Sequence, residues 1–300
     1  MNPLMERSIT LNHGDLSITV LSFGAILHRF TYKGKNLVIS LDDETNYRND
    51  PWHTGAVIGR HAGRINSRGE LAGKPISLES ADYFQLHGGS AGFSKREWVF
   101  SEVGTLPYPF VTLSLLSCDG DSGFPGNLRV FLTYTLKENQ LELRYQAETD
   151  QTTWVNLTNH TYFQWDSSPF LNRLIFEIPA YGVLATDEQL LPTGEIIPLS
   201  QTELNFNQPG LLGHKRLDRV YMLDNSKGKP VRVIDPVTSL GLEMTTDQPC
   251  VVVFTPESRN SFCLEAQRPP NAPSFPNLGS VVLHPHEVYT QTTSYRIFDL

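Results

Sequence analysis

Glycine and proline punctuate this chain from end to end, with 22 glycines and 20 prolines among 300 residues. Proline lacks a backbone donor and glycine weakens regular elements. This density therefore confines regular structure to short segments joined by turns. The segments between read as strands. Residues 16–20 (Leu-Ser-Ile-Thr-Val) alternate apolar and polar side chains, and residues 129–136 alternate more loosely. Residues 141–145 follow after Lys-Glu-Asn-Gln, a four-residue connection suited to a hairpin. Residues 174–178, 231–234 and 251–254 are further strand candidates. No helical periodicity persists beyond about three turns. The strand–helix rhythm of a parallel sheet and the Gly-rich nucleotide cradles are both missing. The expected fold is all-β, a large antiparallel β-sandwich formed by one domain over residues 1–300. The Pro-rich stretch 268–276 reads as a rigid surface loop rather than a boundary.

Composition narrows the partners. A hydrophobic fraction of 39% with 19% charged residues supports a sizeable core. The net charge of −8 argues against nucleic acid, which a basic stripe would bind. No apolar run approaches the roughly 20 residues of a membrane span. Residues 1–15 lack the apolar stretch of a signal peptide, so a soluble, cytoplasmic protein is expected. Cys118, Cys250 and Cys263 are too few and too scattered for a disulfide framework or a CxxC zinc site. His284 and His286 have no partner pair at ligand spacing, so neither a metal nor a cofactor is expected.

Several polar clusters interrupt the pattern. Residues 154–165 would, if extended, place Asn156, Thr158, His160 and Tyr162 on one face. That column suits either the wall of a polar cleft or a solvated strand face. In residues 262–267, Cys263, Glu265 and Gln267 share a face. A carboxylate inside a strand-like apolar run is costly unless paired or functional, or else it faces water from an edge strand. His87 precedes Gly88 and Gly89, which permit close backbone approach to a ligand or simply make a turn. Arg60 and Arg64 lie among glycines, in a segment that suits binding of an anion or a row of hydroxyls, or an ordinary basic turn. Asp218 precedes a strand, a common place for a turn former.

The order of these segments is more specific than any one of them. Gly-Ala-Val-Ile-Gly-Arg-His-Ala-Gly-Arg-Ile (55–65), Leu-His-Gly-Gly (86–89), Asp-Gly-Asp-Ser-Gly-Phe-Pro-Gly-Asn-Leu (119–128), Val-Asn-Leu-Thr-Asn-His-Thr-Tyr-Phe (155–163), Leu-Asp (217–218) and Cys-Leu-Glu-Ala-Gln (263–267) together resemble the aldose 1-epimerases. The resemblance runs from about residue 8 to residue 298. It implies a β-sandwich with a sugar cleft and interconversion of sugar anomers, with no metal or cofactor. Glu265 matches the family's catalytic base and His160 its acid. Arg64 and His87 match residues that hold the sugar near its ring oxygen, and Asp218 a carboxylate that accepts from sugar hydroxyls.

Two positions depart from that pattern. The family commonly has Asn before the arginine, where this chain has Gly63. It commonly has Gln near the position of Val252. Two hydroxyl contacts are then missing or replaced, which moves sugar preference without touching the acid–base pair. The alternatives are an epimerase of a phosphorylated or sulfonated hexose, a carbohydrate-binding protein without chemistry, and a glycoside hydrolase using Asp218 with Glu265. The sequence leaves the oligomeric state open.

Overall fold

A computed structural model describes residues 7–224, 226 and 228–300. Its largest sheet has nine antiparallel strands. In spatial order they are Val99–Gly104, Phe110–Ser117, Leu128–Lys137, Gln140–Thr149, Tyr289–Asp299, Leu240–Thr246, Val231–Asp235, Ile175–Glu177 and Gly210–Leu211. The alternation of the third and fourth strands explains their pairing. Val130, Leu132, Tyr134 and Leu136 lie opposite Ala147, Tyr145, Leu143 and Leu141, and all eight are buried.

The connection between those two strands is tighter than the four residues expected. Lys137 pairs with Gln140, leaving a two-residue turn at Glu138 and Asn139. Asn139 has φ +50°, a left-handed conformation that asparagine tolerates well, and the Lys137–Glu142 ion pair closes the end at 2.6 Å.

A four-stranded sheet covers Ser8–His13, Leu16–Leu21, Leu27–Tyr32 and Lys35–Asn36. A five-stranded sheet runs in the order Pro192–Pro198, Ala180–Thr186, Asp218–Leu223, Cys250–Phe254 and Cys263–Gln267. The three sheets share one apolar core, to which Ile18 and Phe30, Leu132 and Tyr145, and Val251 and Leu264 contribute. Among the described residues the only α-helix is Glu44–Arg48, capped by Asp43, whose carboxylate accepts from Asn46 N–H at 2.8 Å.

Glu265 lies on the edge strand of the five-stranded sheet, yet it does not face water and is 3% exposed. Side chains of the Tyr289–Asp299 strand cover that edge. Tyr295 Oη donates to Leu264 O and Gln291 Nε2 to Ala266 O, both at 3.0 Å. The segment 154–165 is also less regular than a continuous strand. Only Thr153–Trp154 and Thr158–Asn159 are strands, two residues each. The rest is held by single bridges, including Phe163 to Val38 and to Phe262.

Candidate active site

The five-stranded sheet supplies the floor of a cavity of about 250 Å³. Register places Asp218 opposite Phe254, Val220 opposite Val252, Val252 opposite Glu265, and Cys250 opposite Gln267. Alternation sends Val251, Val253, Leu264 and Ala266 into the core. Asp218, Val220, Val252, Phe254, Glu265 and Gln267 line the cavity instead.

Arg64 opens a short strand paired with Phe84–Leu86, and His87 follows that partner directly, so the pairing brings both to the rim. Gly88 permits this tight passage: a Cβ there would sit 2.0 Å from Gly59 O. His160 and Tyr162 form the opposite wall, with their rings stacked 4.9 Å apart. Backbone bonds of 2.9 Å, from Gly55 N–H to His160 O and from His160 N–H to Ala56 O, tie that wall to the loop carrying Trp52 and His53. Arg259 fastens the same loop. It donates to Thr54 Oγ1 at 2.8 Å, pairs with Asp50, and lies over the rings of Trp52 and Tyr162.

All five residues expected from the sequence, Arg64, His87, His160, Asp218 and Glu265, line this one cavity. Glu265 Oε1 faces His160 Nε2 at 3.5 Å. Burial first, then the charge of Asp218, pushes the Glu265 carboxyl well above the usual carboxylate range. Burial also raises Asp218, against the opposing pull of Arg64. It lowers His160 to about 3 and His53 to about 4, and it takes His87 well below its ordinary value. These imidazoles are therefore neutral at ordinary pH.

Their Nδ1 atoms differ in a way that sorts their chemistry. Gly63 N–H donates to His87 Nδ1 at 3.2 Å, so neutral His87 carries its proton on Nε2. His53 Nδ1 faces the Ser94 hydroxyl at 2.8 Å. His160 Nδ1 faces Cys263 Sγ at 3.5 Å, and sulfur is a weak donor and a weak acceptor alike. His160 can therefore change its protonation state while keeping its partner, whereas His87 cannot.

Other expectations need correction. Asn156 does not line the cavity; it accepts from Arg268 N–H and donates to Arg268 O, both at 2.9 Å. Thr158 is buried without a partner for its hydroxyl. Arg60 is 1% exposed and serves the fold. Its guanidinium donates to the carbonyls of Pro125 and Gly126 at 2.9 Å and to Ser117 Oγ at 2.7 Å. The Gly-Phe-Pro-Gly segment thus wraps an arginine rather than the cavity.

Sequence reasoning missed His53, Trp52 and Phe254. Trp52 stacks on Phe254, ring centres 6.3 Å apart. Their one signal was a Trp-His pair between turn formers. His160, Cys263 and Glu265 bring donor atoms within 4.8 Å of one another, the spacing of a metal site. The thiol is held well above its ordinary value by burial, and a protonated thiol is a poor ligand. The cluster suits proton transfer better than metal.

Gly63 and Val252 both line the cavity. Gly63 has φ +75°, and a Cβ there would lie 2.7 Å from the Pro270 ring. Pro270 thus occupies the space a side chain at position 63 would need.

Comparison with known proteins agrees with this arrangement. The aldose 1-epimerase family profile matches residues 7–296. The chain is 32% identical to human galactose mutarotase over 94% of this chain and 91% of that protein. It is 29% identical to a maltose epimerase of Levilactobacillus brevis over 97% and 94%. Among solved structures, the GalM/aldose epimerase homologue from C. elegans superposes with a TM-score of 0.91 at 25% identity, covering 98% of this chain and 99% of that one. The galactose 1-epimerase from Lactobacillus acidophilus gives 0.87 at 25% identity, over 97% and 94%. A chain that matches the profile along nearly its whole length, on a β-sandwich of the same shape, belongs to the aldose 1-epimerase family of isomerases.

Proposed function

We propose that this protein is a mutarotase that interconverts the α and β anomers of a neutral sugar by acid–base ring opening, with Glu265 and His160 as the proton-transferring pair. The observation that carries this reading is their opposition at 3.5 Å, Glu265 from the floor and His160 from the wall of a cavity that Arg64, His87 and Asp218 also line. Mutarotation needs a base on the C1 hydroxyl and an acid on the ring oxygen. Both oxygens are bonded to C1, so acid and base must be neighbours.

Glu265 takes the proton from the C1 hydroxyl while His160 gives one to the ring oxygen, the C1–O5 bond breaks, and the open aldehyde forms. Rotation about C1–C2 presents the other face. Glu265 then returns its proton to the aldehyde oxygen as the C5 hydroxyl closes on C1 and releases its proton to His160. The pair holds one proton throughout: carboxylic acid with neutral imidazole at rest and again in the open form, carboxylate with imidazolium as the ring begins to open. Burial makes the uncharged distribution the resting one, so a proton crosses the 3.5 Å from Glu265 to His160 as the ring begins to open, and the pair is uncharged again in the open chain. Each such group supplies ~10²–10⁴-fold. Arg64 stabilises charge developing on oxygen, His87 donates from Nε2, and Asp218 accepts from hydroxyls.

Arg64 is the only cationic side chain among the lining residues, beside two carboxyl groups, which supports a neutral rather than a phosphorylated or sulfonated sugar. The test is anomer-resolved NMR of freshly dissolved glucose, galactose, maltose and hexose 6-phosphates. Faster equilibration of a neutral sugar is expected. Acceleration of only the anionic sugars, or of none, would sink the proposal. Maltose is included because one relative is named for it.

A further inference from the structure

Once the acid–base pair, Arg64, His87 and Asp218 have roles, the polar lining residues left are His53, Tyr162, Thr186 and Gln267, and His53 is the one imidazole among them and is braced by its own set of contacts. His53 lines the same space, and its ring centre lies 5.2 Å from that of His87 and 6.5 Å from that of His160. It is only partly buried. Its Nδ1 is anchored 2.8 Å from Ser94 Oγ, and Ser94 is 5% exposed. A buried hydroxyl needs an acceptor for its proton, and Nδ1 is the one at hand. Ser94 therefore donates to Nδ1, and Nε2 of the neutral ring carries hydrogen.

The placement of the ring is built. His53 sits in a turn with φ +53°, and Arg259 and Asp50 brace the residues on either side of it. Nε2 has no hydrogen-bond partner within the chain and is not among the buried atoms, so it is accessible on a residue that lines the cavity. Across the cavity, Gly63 and Val252 offer no side-chain hydrogen bond, and Pro270 fills the space beside Gly63. Hydroxyl recognition has to come from elsewhere on the wall.

We propose that His53 is a specificity-determining residue, whose Nε2–H donates to a hydroxyl oxygen of the sugar other than the two oxygens bonded to C1. This rests on the reading of the cavity as a sugar site. It selects sugars that carry that hydroxyl over deoxy sugars that lack it. A mono-deoxy series of the best substrate, assayed by anomer-resolved NMR, identifies the hydroxyl.

The wild type should discriminate against one deoxy analogue by about tenfold in kcat/KM, mostly through KM. His53→Asn keeps a residue that tolerates positive φ but is too short to reach. It should raise KM for the parent sugar about tenfold, leave KM for that deoxy analogue unchanged, and hold kcat within about threefold. Ser94→Ala, which keeps the ring and frees Nδ1, should shift the same selectivity in the same direction by a smaller factor. An unchanged KM for every sugar in both variants overturns the proposal. So does an equal loss of kcat on every sugar, the deoxy analogue included.

Failure of the mutarotase reading is separable. If the wild type accelerates no sugar, the same series is titrated by calorimetry. Loss of the deoxy discrimination in Kd still supports the role of His53. Equal affinity of both proteins for every sugar, or no binding at all, overturns it.

Discussion

Glu265 has Val252 beside it in the sheet and His160 above it, so its carboxyl has one polar neighbour close enough to share a proton. In the mechanism proposed above the pair titrates as a unit, and the form with one proton is the competent one. Above the lowered value of His160, about 3, the imidazole no longer holds a second proton. The kcat/KM profile should therefore show no loss of activity as pH falls through the ordinary histidine value of ~6.5. Activity is lost as pH falls towards about 3, and again as pH rises through the raised value of Glu265. A loss of activity as pH falls through ~7 to ~6 in initial-rate polarimetry, the signature of an ordinary imidazole, would refute this assignment. Glu265→Gln should lower kcat by ~10²–10⁴-fold with sugar affinity within a few fold, since the amide keeps the shape and loses the proton transfer. Position 63 makes a second prediction. Reinstating the family's asparagine should not restore a sugar contact, because its Cβ would meet Pro270 at 2.7 Å. Gly63→Asn should cost about 1–3 kcal/mol in urea unfolding, and Pro270→Ala in the same chain should recover part of that.

At the scale of elements, Arg60 and Arg64 show what the sequence could and could not convey. Both lie four residues apart in one Gly-rich stretch, and nothing in their spacing separates a sugar ligand from a structural ion. Their environments do. Arg64 reaches the cavity, while Arg60 turns inward to the carbonyls of Ser117, Cys118, Pro125 and Gly126. Burial lowers Arg60 to about 10, which leaves it cationic at neutral pH. Arg60→Lys replaces a five-donor fork by a single ammonium and strands several of these acceptors. A loss of about 3 kcal/mol in urea unfolding is expected, with activity per folded molecule retained. Loss of activity in fully folded protein would return Arg60 to the site. The strands were legible because their alternation follows burial directly, as in Leu128–Lys137. The parity of residues 154–165 was also legible, since His160 and Tyr162 do share the cavity wall. The irregular path that sends Asn156 to Arg268 was not, because it depends on single bridges to distant chain segments. The burial of Glu265 was hidden for the same reason: Gln291 and Tyr295, which cover its edge, come from the far end of the chain. His53 lay in a loop whose brace, Arg259, is 205 residues away from the Thr54 it holds.

Across the whole molecule these buried groups set an unusual response to acid. His53, His61, His87 and His160 are all lowered by burial, His53 to about 4 and both His61 and His160 to about 3. Each binds its proton in the unfolded chain first, near ~6.5, so the stability it contributes is present above that pH and is lost as pH falls towards the folded values. Glu265 works in the opposite direction, since its raised value withdraws stability as pH rises above 4.5. Near pH 5 these four histidines and His28 gain protons on unfolding while Glu265 and Asp218 give them up, a net uptake of about three. At ~1.4 kcal/mol per proton per pH unit, unfolding free energy should fall by about 3–4 kcal/mol between pH 6 and pH 5. Net charge alone gives the reverse expectation. The chain carries −8 at pH 7 and its isoelectric point is near 5.6, so self-repulsion weakens over the same interval. Urea unfolding followed across pH 5 to 7 separates the two. A stability that is flat, or that rises towards pH 5.6, would mean that these histidines, the three of the cavity among them, are charged in the folded protein, and the neutral acid–base pair would fall with them. A steep loss ties the fold's acid sensitivity to the chemistry of its site, because the desolvation that keeps the imidazoles uncharged is the same one that holds the proton on Glu265.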